Sequence, residues 1–188
     1  MDEEMIALVS GLKKYLHERS EQQLQCFHRY ESQVEGWFKG ELLFFLDREK
    51  REGRLPKFIR EKQFYYNDNQ YILVDIVLYF DERDNNRVCW VELKHWIGYQ
   101  NNQQWRPSWY FTNNAKPAVE NLLKICEAGD KYMLVLFTPK PDSNEWNSGV
   151  EEFNTKFPPL AVRSLTNPDD YPEYFFLGLL YVPEVGQH

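Results

Sequence analysis

A single acidic residue interrupts the most apolar stretch of the chain. Residues 71–80 read YILVDIVLYF, and Asp75 is the one charged side chain among them. A continuous apolar run of this kind predicts a central strand that is covered on both faces. Because an unpaired buried carboxylate is costly, we expect Asp75 to be paired with a cation or to bind a metal ion.

The segments around this strand predict further helices and strands. Helices are predicted over 3–18, from Ser20 to about Arg51 with Ser20 as its N-cap and a bend near Gly36 or Gly40, over 115–128 and near 149–156. Gly129 and Asp130 end the third helix, and the Pro- and Asn-rich residues 139–147 predict a loop. Strands are predicted over 58–66, 70–80, 87–96, 131–138 and 174–182.

This order of helices and strands is typical of an α/β or α+β domain with helices packed against one sheet, and we expect the α/β class. We expect one domain over residues 1–188, with a helical N-terminal part at 3–51. The expected sheet is mixed, with about four to five strands flanked by α-helices.

Three features of the sequence favour a soluble, cytoplasmic protein with no membrane partner. The N-terminal MDEEMIALVS has no secretory signal pattern. No stretch approaches the roughly 20 apolar residues of a membrane span. The cysteines form no CxxC pair, so reduced and mostly buried thiols are expected at Cys26, Cys89 and Cys126.

The net charge of −7, from 22 Lys+Arg and 29 Asp+Glu, argues against indiscriminate coating of nucleic acid. It does not exclude a nuclease, since metal-binding carboxylates add negative charge that bound cations offset. Residues 48–62 carry seven Lys or Arg against three Glu. This basic segment is interpreted either as a phosphate-binding surface or as a solvated helix end.

The strand that follows Asp75 supplies a second carboxylate and a lysine. Side chains alternate along a strand, so Glu92 and Lys94 in VCWVELKHW are expected on one face. If the two strands are neighbours, Asp75 joins them, and two carboxylates converge beside an ammonium group. Mg²⁺ prefers such oxygen ligands, and the backbone carbonyl of Leu93 is a further candidate ligand. The grouping suits metal-assisted hydrolysis of a phosphodiester.

An Asp, sixteen intervening residues and then Glu-x-Lys on adjacent apolar strands resembles the PD-(D/E)XK nuclease superfamily. This superfamily includes restriction endonucleases and Holliday-junction resolvases. The resemblance covers about residues 35–138 and implies a restriction endonuclease-like core over them. It also implies a Mg²⁺- or Mn²⁺-dependent nuclease, a hydrolase acting on DNA. Val74 stands where the motif name has proline. Many members dimerise to cut both DNA strands, so the resemblance leaves a homodimer as one possible oligomeric state.

The same resemblance implies roles for individual residues. Asp75, Glu92 and Lys94 match the motif positions, and many members carry a glutamate on the preceding helix. Glu41 in WFKGELLFFL matches that position best, as a catalytic residue and metal ligand, with Glu35 as second choice.

Contacts to nucleic acid are predicted beside this site. A polar segment, residues 100–106, follows the strand that carries Glu92 and Lys94. In it, Gln103, Gln104 and Arg106 are candidates to contact nucleic acid, and Trp105 is a candidate to stack on a base. Lys116, at the start of the next helix, is expected over the site. A plain surface loop is the alternative for the residues at 100–106.

Two other functions remain open at this point. The domain is either a catalytically silent nuclease fold that binds nucleic acid or protein, or an interaction protein without a nucleic-acid function. In either case Asp75, Glu92 and Lys94 form a structural ion-pair cluster. His95 is expected on the opposite face from Lys94, packed rather than bound to a metal. No Cys/His spacing supports a zinc site.

Overall fold

Two long helices open the chain in the computed structural model, which describes residues 2–30, 34–67, 70–81, 87–97, 99–100, 103–104 and 107–184. Helix α1 spans Asp2–Tyr30 and helix α2 spans Glu35–Arg51. The helix boundary predicted at Ser20 is wrong, because Ser20 lies buried inside α1. The apolar stripe of α1 passes through it at helical spacing from Leu16 to Leu24, so no cap is needed there.

Eight strands follow among the described residues, and helices and helical turns lie between them. The strands are β1 Lys57–Asn67, β2 Gln70–Tyr79, β3 Val88–Ile97, β4 Tyr99–Gln100, β5 Gln103–Gln104, β6 Asp130–Thr138, β7 Arg163–Ser164 and β8 Phe176–Val182. The helices are α3 Pro107–Tyr110, a π-helical turn at Phe111–Ala115, α4 Lys116–Leu123 and α5 Ser143–Lys156, with 3₁₀ turns at Pro158–Leu160 and Pro168–Asp170.

Six of these strands form one mixed sheet in the order β1-β2-β3-β6-β8-β7. Strands β3 and β6 are parallel, and the other neighbours are antiparallel. The predicted α/β class is therefore confirmed, whereas the expected strand count of about four to five was too low. The extra strand is β7, which at two residues is too short to produce an alternating pattern in the sequence.

Helices cover both faces of this sheet. On one face, α1 and α2 pack against β2, β3 and β6, with Leu12 and Leu42 close to Ile76, Val91 and Leu134. On the other face, the aromatic rings of β3, β6, β8, the π-helical turn and α5 form one cluster, which contains Trp96, Phe111, Phe137, Trp146 and Phe176. In the described part of the chain, no helix is long and apolar enough to cross a membrane.

Two helix boundaries differ from those predicted. Helix α5 begins at Ser143 rather than near 149, because Asp142 caps it by accepting hydrogen bonds from the backbone N–H groups of Asn144 and Glu145. The segment predicted as a loop thus carries the first turn of a helix. Helix α4 ends at Leu123 rather than at 128, and a turn leads from it to Gly129.

Gly129 precedes β6 in a backbone conformation with φ +133° that side chains disfavour. A Cβ atom there would lie 2.6 Å from the carbonyl oxygen of Val88. We therefore expect Gly129→Ala to lower the free energy of unfolding by about 2 to 3 kcal/mol, measured by urea denaturation. The control is Gly40→Ala inside α2, where a Cβ meets open space and stability should hold or rise. Equal effects of the two substitutions would contradict this assignment.

Candidate active site

The pairing between strands β2 and β3 ends beside Asp75 and Glu92. Their antiparallel ladder runs from the pair Tyr79–Val88 to the pair Ile76–Val91, and the next residues along the two strands are Asp75 and Glu92. The ladder between β1 and β2 is also interrupted here, since its pairs on either side of Asp75 skip both Asp75 and Glu61. Glu61 adopts φ +52°, which non-glycine residues rarely do. Asp75 thus lies where the ladders on both sides of β2 are interrupted.

The carboxylate of Asp75 is held by two donors. Its Oδ1 atom lies 2.7 Å from the Lys39 ammonium of α2, and its Oδ2 atom accepts a hydrogen bond of 2.9 Å from the backbone N–H of Leu93. Only 13% of the Asp75 side chain is exposed. The buried carboxylate is therefore paired, as the apolar run around it requires.

Glu92 and Lys94 form a second pair beside it. Their side chains lie on one face of β3, with the ammonium of Lys94 2.7 Å from Oε1 of Glu92. Burial raises the pKa of Glu92, Lys94 lowers it, and the negative charge of Asp75 raises it again. The net pKa of Glu92 lies above its usual value. The structure therefore brings Asp75, Glu92 and Lys94 together, while their chemical roles remain predictions.

The helix glutamate selected from the sequence lies elsewhere. Glu41 accepts a hydrogen bond of 3.0 Å from the hydroxyl of Tyr15 on α1. Glu41 was expected to face Asp75 and Glu92, and its observed partner is on the other helix instead. Two helical positions separate Glu41 from Lys39, which places them on nearly opposite flanks of α2. Glu35 is one helical turn from Lys39, and its Oε1 atom lies 3.3 Å from the Lys39 ammonium. Glu35 is thus the α2 carboxylate linked to Asp75.

Lys39 is the residue of this site that the sequence reasoning missed. Burial lowers the pKa of Lys39, but the hydrogen bond and charge of Asp75, together with Glu35, raise it above its ordinary value. A signal was present in the sequence, because Glu35 and Lys39 have the i, i+4 spacing of a helical ion pair. That spacing alone does not indicate which strand Lys39 faces.

His95 links three elements behind the site. The Nδ1 atom of His95 accepts a hydrogen bond of 3.2 Å from the backbone N–H of Val34, just before α2, and Nε2 lies 2.8 Å from the hydroxyl of Thr138 on β6. Burial lowers the pKa of His95 to about 4 from an ordinary value of 6.5. The neutral ring is therefore a structural connector, in agreement with the packed histidine expected from the sequence.

This ring predicts a loss of stability in mild acid. Between pH 6.5 and 4 the unfolded chain protonates His95 while the folded chain does not, so lowering the pH favours unfolding. The neutral His95 ring contributes about 3 kcal/mol to the free energy of unfolding above pH 6.5, and this contribution is lost as the pH falls to 4. Urea denaturation in EDTA at pH 7 and pH 4.5 measures it. The His95→Asn variant should lose less stability over this interval, and an equal loss would contradict the assignment.

The predicted nucleic-acid contacts are only partly within the described residues. Gln103 and Gln104 form β5, while their side chains, and the whole of Trp105 and Arg106, lie outside the described residues. Lys116 begins α4, where its ammonium pairs with Glu120 and lies 5.7 Å from the centre of the Phe157 ring. The contacts of Lys116 are therefore with α4 and the end of α5 rather than with Asp75 or Glu92.

Part of the basic segment at 48–62 has a structural use. Arg54 donates two hydrogen bonds, of 2.5 and 2.6 Å, to the buried carboxylate of Glu49, and Arg48 lies 3.5 Å from the same carboxylate. These contacts lower the pKa of Glu49 against the opposing effect of burial. The positive charge of Arg54 is thus paired with a carboxylate in the last turn of α2.

The donor atoms present suit a hard cation held by few protein ligands. No group of three or more His, Cys, Asp or Glu side chains with metal-binding geometry occurs among the described residues. Mg²⁺ commonly uses one or two carboxylates and keeps several waters, whereas a structural zinc site needs four protein ligands. Two carboxylates are within the number that Mg²⁺ or Mn²⁺ uses, and cation binding by Asp75, Glu92 and the Leu93 carbonyl stays a prediction.

Comparisons with protein-family models, with curated proteins and with solved structures found no match to this chain.

Proposed function

We propose that this chain is a metal-dependent nuclease of the PD-(D/E)XK type that hydrolyses phosphodiester bonds in DNA. The observation that carries the proposal is the meeting of Asp75, Glu92 and Lys94 where β2 and β3 part. A restriction endonuclease-like arrangement of the α/β fold belongs to the same proposal. The raised pKa of the half-buried Glu92 supports a functional cluster, since carboxylates with perturbed pKa values are common at active sites.

Each residue of the cluster has a defined part in this proposal. Asp75 and Glu92 would hold Mg²⁺ or Mn²⁺, with Glu35 rather than Glu41 as the nearby helix carboxylate. When bound, such a cation polarises a phosphate oxygen and lowers the pKa of bound water. The Lys94 ammonium stabilises negative charge that develops on the phosphate, and it is already oriented by Glu92. The backbone N–H of Leu93 keeps the Asp75 carboxylate in place.

A second function is favoured by a specific observation. Each of the two carboxylates already has a lysine partner, Lys39 for Asp75 and Lys94 for Glu92. A catalytically silent domain of the same fold, binding nucleic acid or protein, would need no more than this charge-balanced cluster. The two functions differ in whether a divalent cation bound by the carboxylates supports cleavage of DNA.

Cation binding and cleavage decide between the two functions. Purified protein should be stabilised against heat by Mn²⁺ or Mg²⁺ and should cleave DNA in their presence but not in EDTA. Single-stranded, double-stranded and branched DNA should each be tried, because the substrate form is not specified by the site. Stabilisation without cleavage of any substrate, or neither, would favour the silent domain.

A further inference from the structure

Lys39 occupies the place at Asp75 that a cation would take. Its ammonium lies 2.7 Å from Oδ1, while Oδ2 is used by the Leu93 N–H. Both oxygens of this carboxylate are therefore engaged in the described structure. Any divalent cation that binds through Oδ1 meets a resident positive charge at contact distance, and the two repel each other.

A second partner for Lys39 is within reach on the same helix. Oε1 of Glu35 lies 3.3 Å from the Lys39 ammonium, one turn before it. About a third of the Lys39 side chain is exposed, so its flexible stem is free to rotate, whereas Asp75 is fixed and largely buried. Lys39 therefore has two acceptors, one inside the site and one at its rim.

We propose, on the basis of the function proposed above, that Lys39 is a built-in competitor for the divalent cation at Asp75. Cation binding moves the Lys39 ammonium from Asp75 to Glu35, and this exchange sets the cation concentration at which the site fills. Lys39 thus competes directly with the cation, and Glu35 is a positioning residue that acts through Lys39 rather than as a ligand. The metal-free protein keeps Asp75 neutralised, which the surrounding apolar strand requires.

The two partners predict opposite effects on cation affinity. Lys39→Gln removes the competing charge and should lower the Kd for Mn²⁺ by about tenfold, the scale for one partly exposed charge at contact distance. Glu35→Gln removes the alternative acceptor, so Lys39 stays at Asp75 and the Kd should rise by up to about tenfold. If Lys39 served only to hold Asp75 in position, Lys39→Gln would weaken binding instead.

The double variant separates an indirect role of Glu35 from direct ligation. If Glu35 acts through Lys39, adding Glu35→Gln to Lys39→Gln should leave the Kd unchanged. If Glu35 is itself a ligand, Glu35→Gln weakens Mn²⁺ binding both in the wild type and in Lys39→Gln. That result would overturn the proposed movement of Lys39 between two acceptors. The matched control is Lys14→Gln with Glu18→Gln on α1, an exposed i, i+4 pair 3.8 Å apart that should not alter the Kd.

The measurement is a titration of the full chain with Mn²⁺ at pH 7.5 and low ionic strength, following free Mn²⁺ by electron paramagnetic resonance. Tighter binding by Lys39→Gln than by the wild type supports the inference, including the case in which only the variant binds. Equal or weaker binding by Lys39→Gln overturns it and leaves the nuclease proposal intact. Absence of binding in both proteins overturns the metal-dependent function as well.

Discussion

Replacement of Lys94 with alanine is expected to lower the rate of DNA cleavage by about two to four powers of ten. The ammonium of Lys94 is the positive charge that β3 places beside Glu92. In the proposed nuclease, its loss would remove stabilisation of the phosphate charge in the transition state. Asp75 and Glu92 stay in place, so Mn²⁺ should still bind. Single-turnover cleavage in Mn²⁺, run beside a Mn²⁺ titration, measures both quantities.

The control for this substitution is Lys14→Ala, an exposed lysine on α1 whose removal should leave cleavage unchanged. Cleavage that survives in Lys94→Ala at the wild-type rate would place the chemistry elsewhere or in a contaminant. A loss of Mn²⁺ binding together with cleavage would show that Lys94 is needed to build the site rather than to act on the phosphate.

Replacement of Asp75 with alanine is expected to abolish cleavage through a different route. It removes a proposed ligand, so Mn²⁺ affinity should fall by more than about a hundredfold, which is the upper range for partners that merely orient ligands. The thermal stabilisation that Mn²⁺ gives to the wild type should shrink accordingly. A thermal-shift series with and without Mn²⁺ tests this, and unchanged metal-induced stabilisation would remove Asp75 from the site.

The metal-free stability of the same variant reports on the pairing of Asp75. Alanine leaves the backbone N–H of buried Leu93 without the acceptor it has now, so unfolding should cost about 1 to 2 kcal/mol less. Relief of repulsion with Glu92 acts in the opposite direction but is the smaller effect, since Lys39 already neutralises Asp75. Asp75→Asn keeps an acceptor for Leu93 and should recover part of this stability.

The local sequence was sufficient to predict most of the sheet. Apolar runs identified β2, β3 and β6, because β6, β3 and the second half of β2 are largely covered on both faces. The first half of β2 exposes Tyr71 and Leu73, so the cover expected on both faces holds only for its second half. The meeting of Asp75 with Glu92 and Lys94 followed from adjacency of two strands and alternation along one of them. These are short-range properties that a sequence displays directly.

Other features depended on contacts that no local pattern contains. The continuation of α1 through Ser20 and the start of α5 at Ser143 depended on tertiary burial and on capping. The choice between Glu41 and Glu35 depended on how α2 is rotated against the sheet. That rotation is set by the packing of residues such as Leu42 against Ile76 and Val91, and it places Lys39 rather than Glu41 toward Asp75.

Helix α1 is anchored by residues from the far part of the chain. Asp2 accepts a hydrogen bond of 2.9 Å from the hydroxyl of Tyr132 and pairs with Arg163, and Lys13 bonds to the carbonyl of Asp170. Contacts of such sequence separation form slowly. During synthesis at about 5–20 residues per second, Asp2 and Lys13 would wait on the order of ten seconds for these partners. The polar anchors of α1 are therefore completed late, whereas its apolar stripe meets Leu42 as soon as α2 has been made.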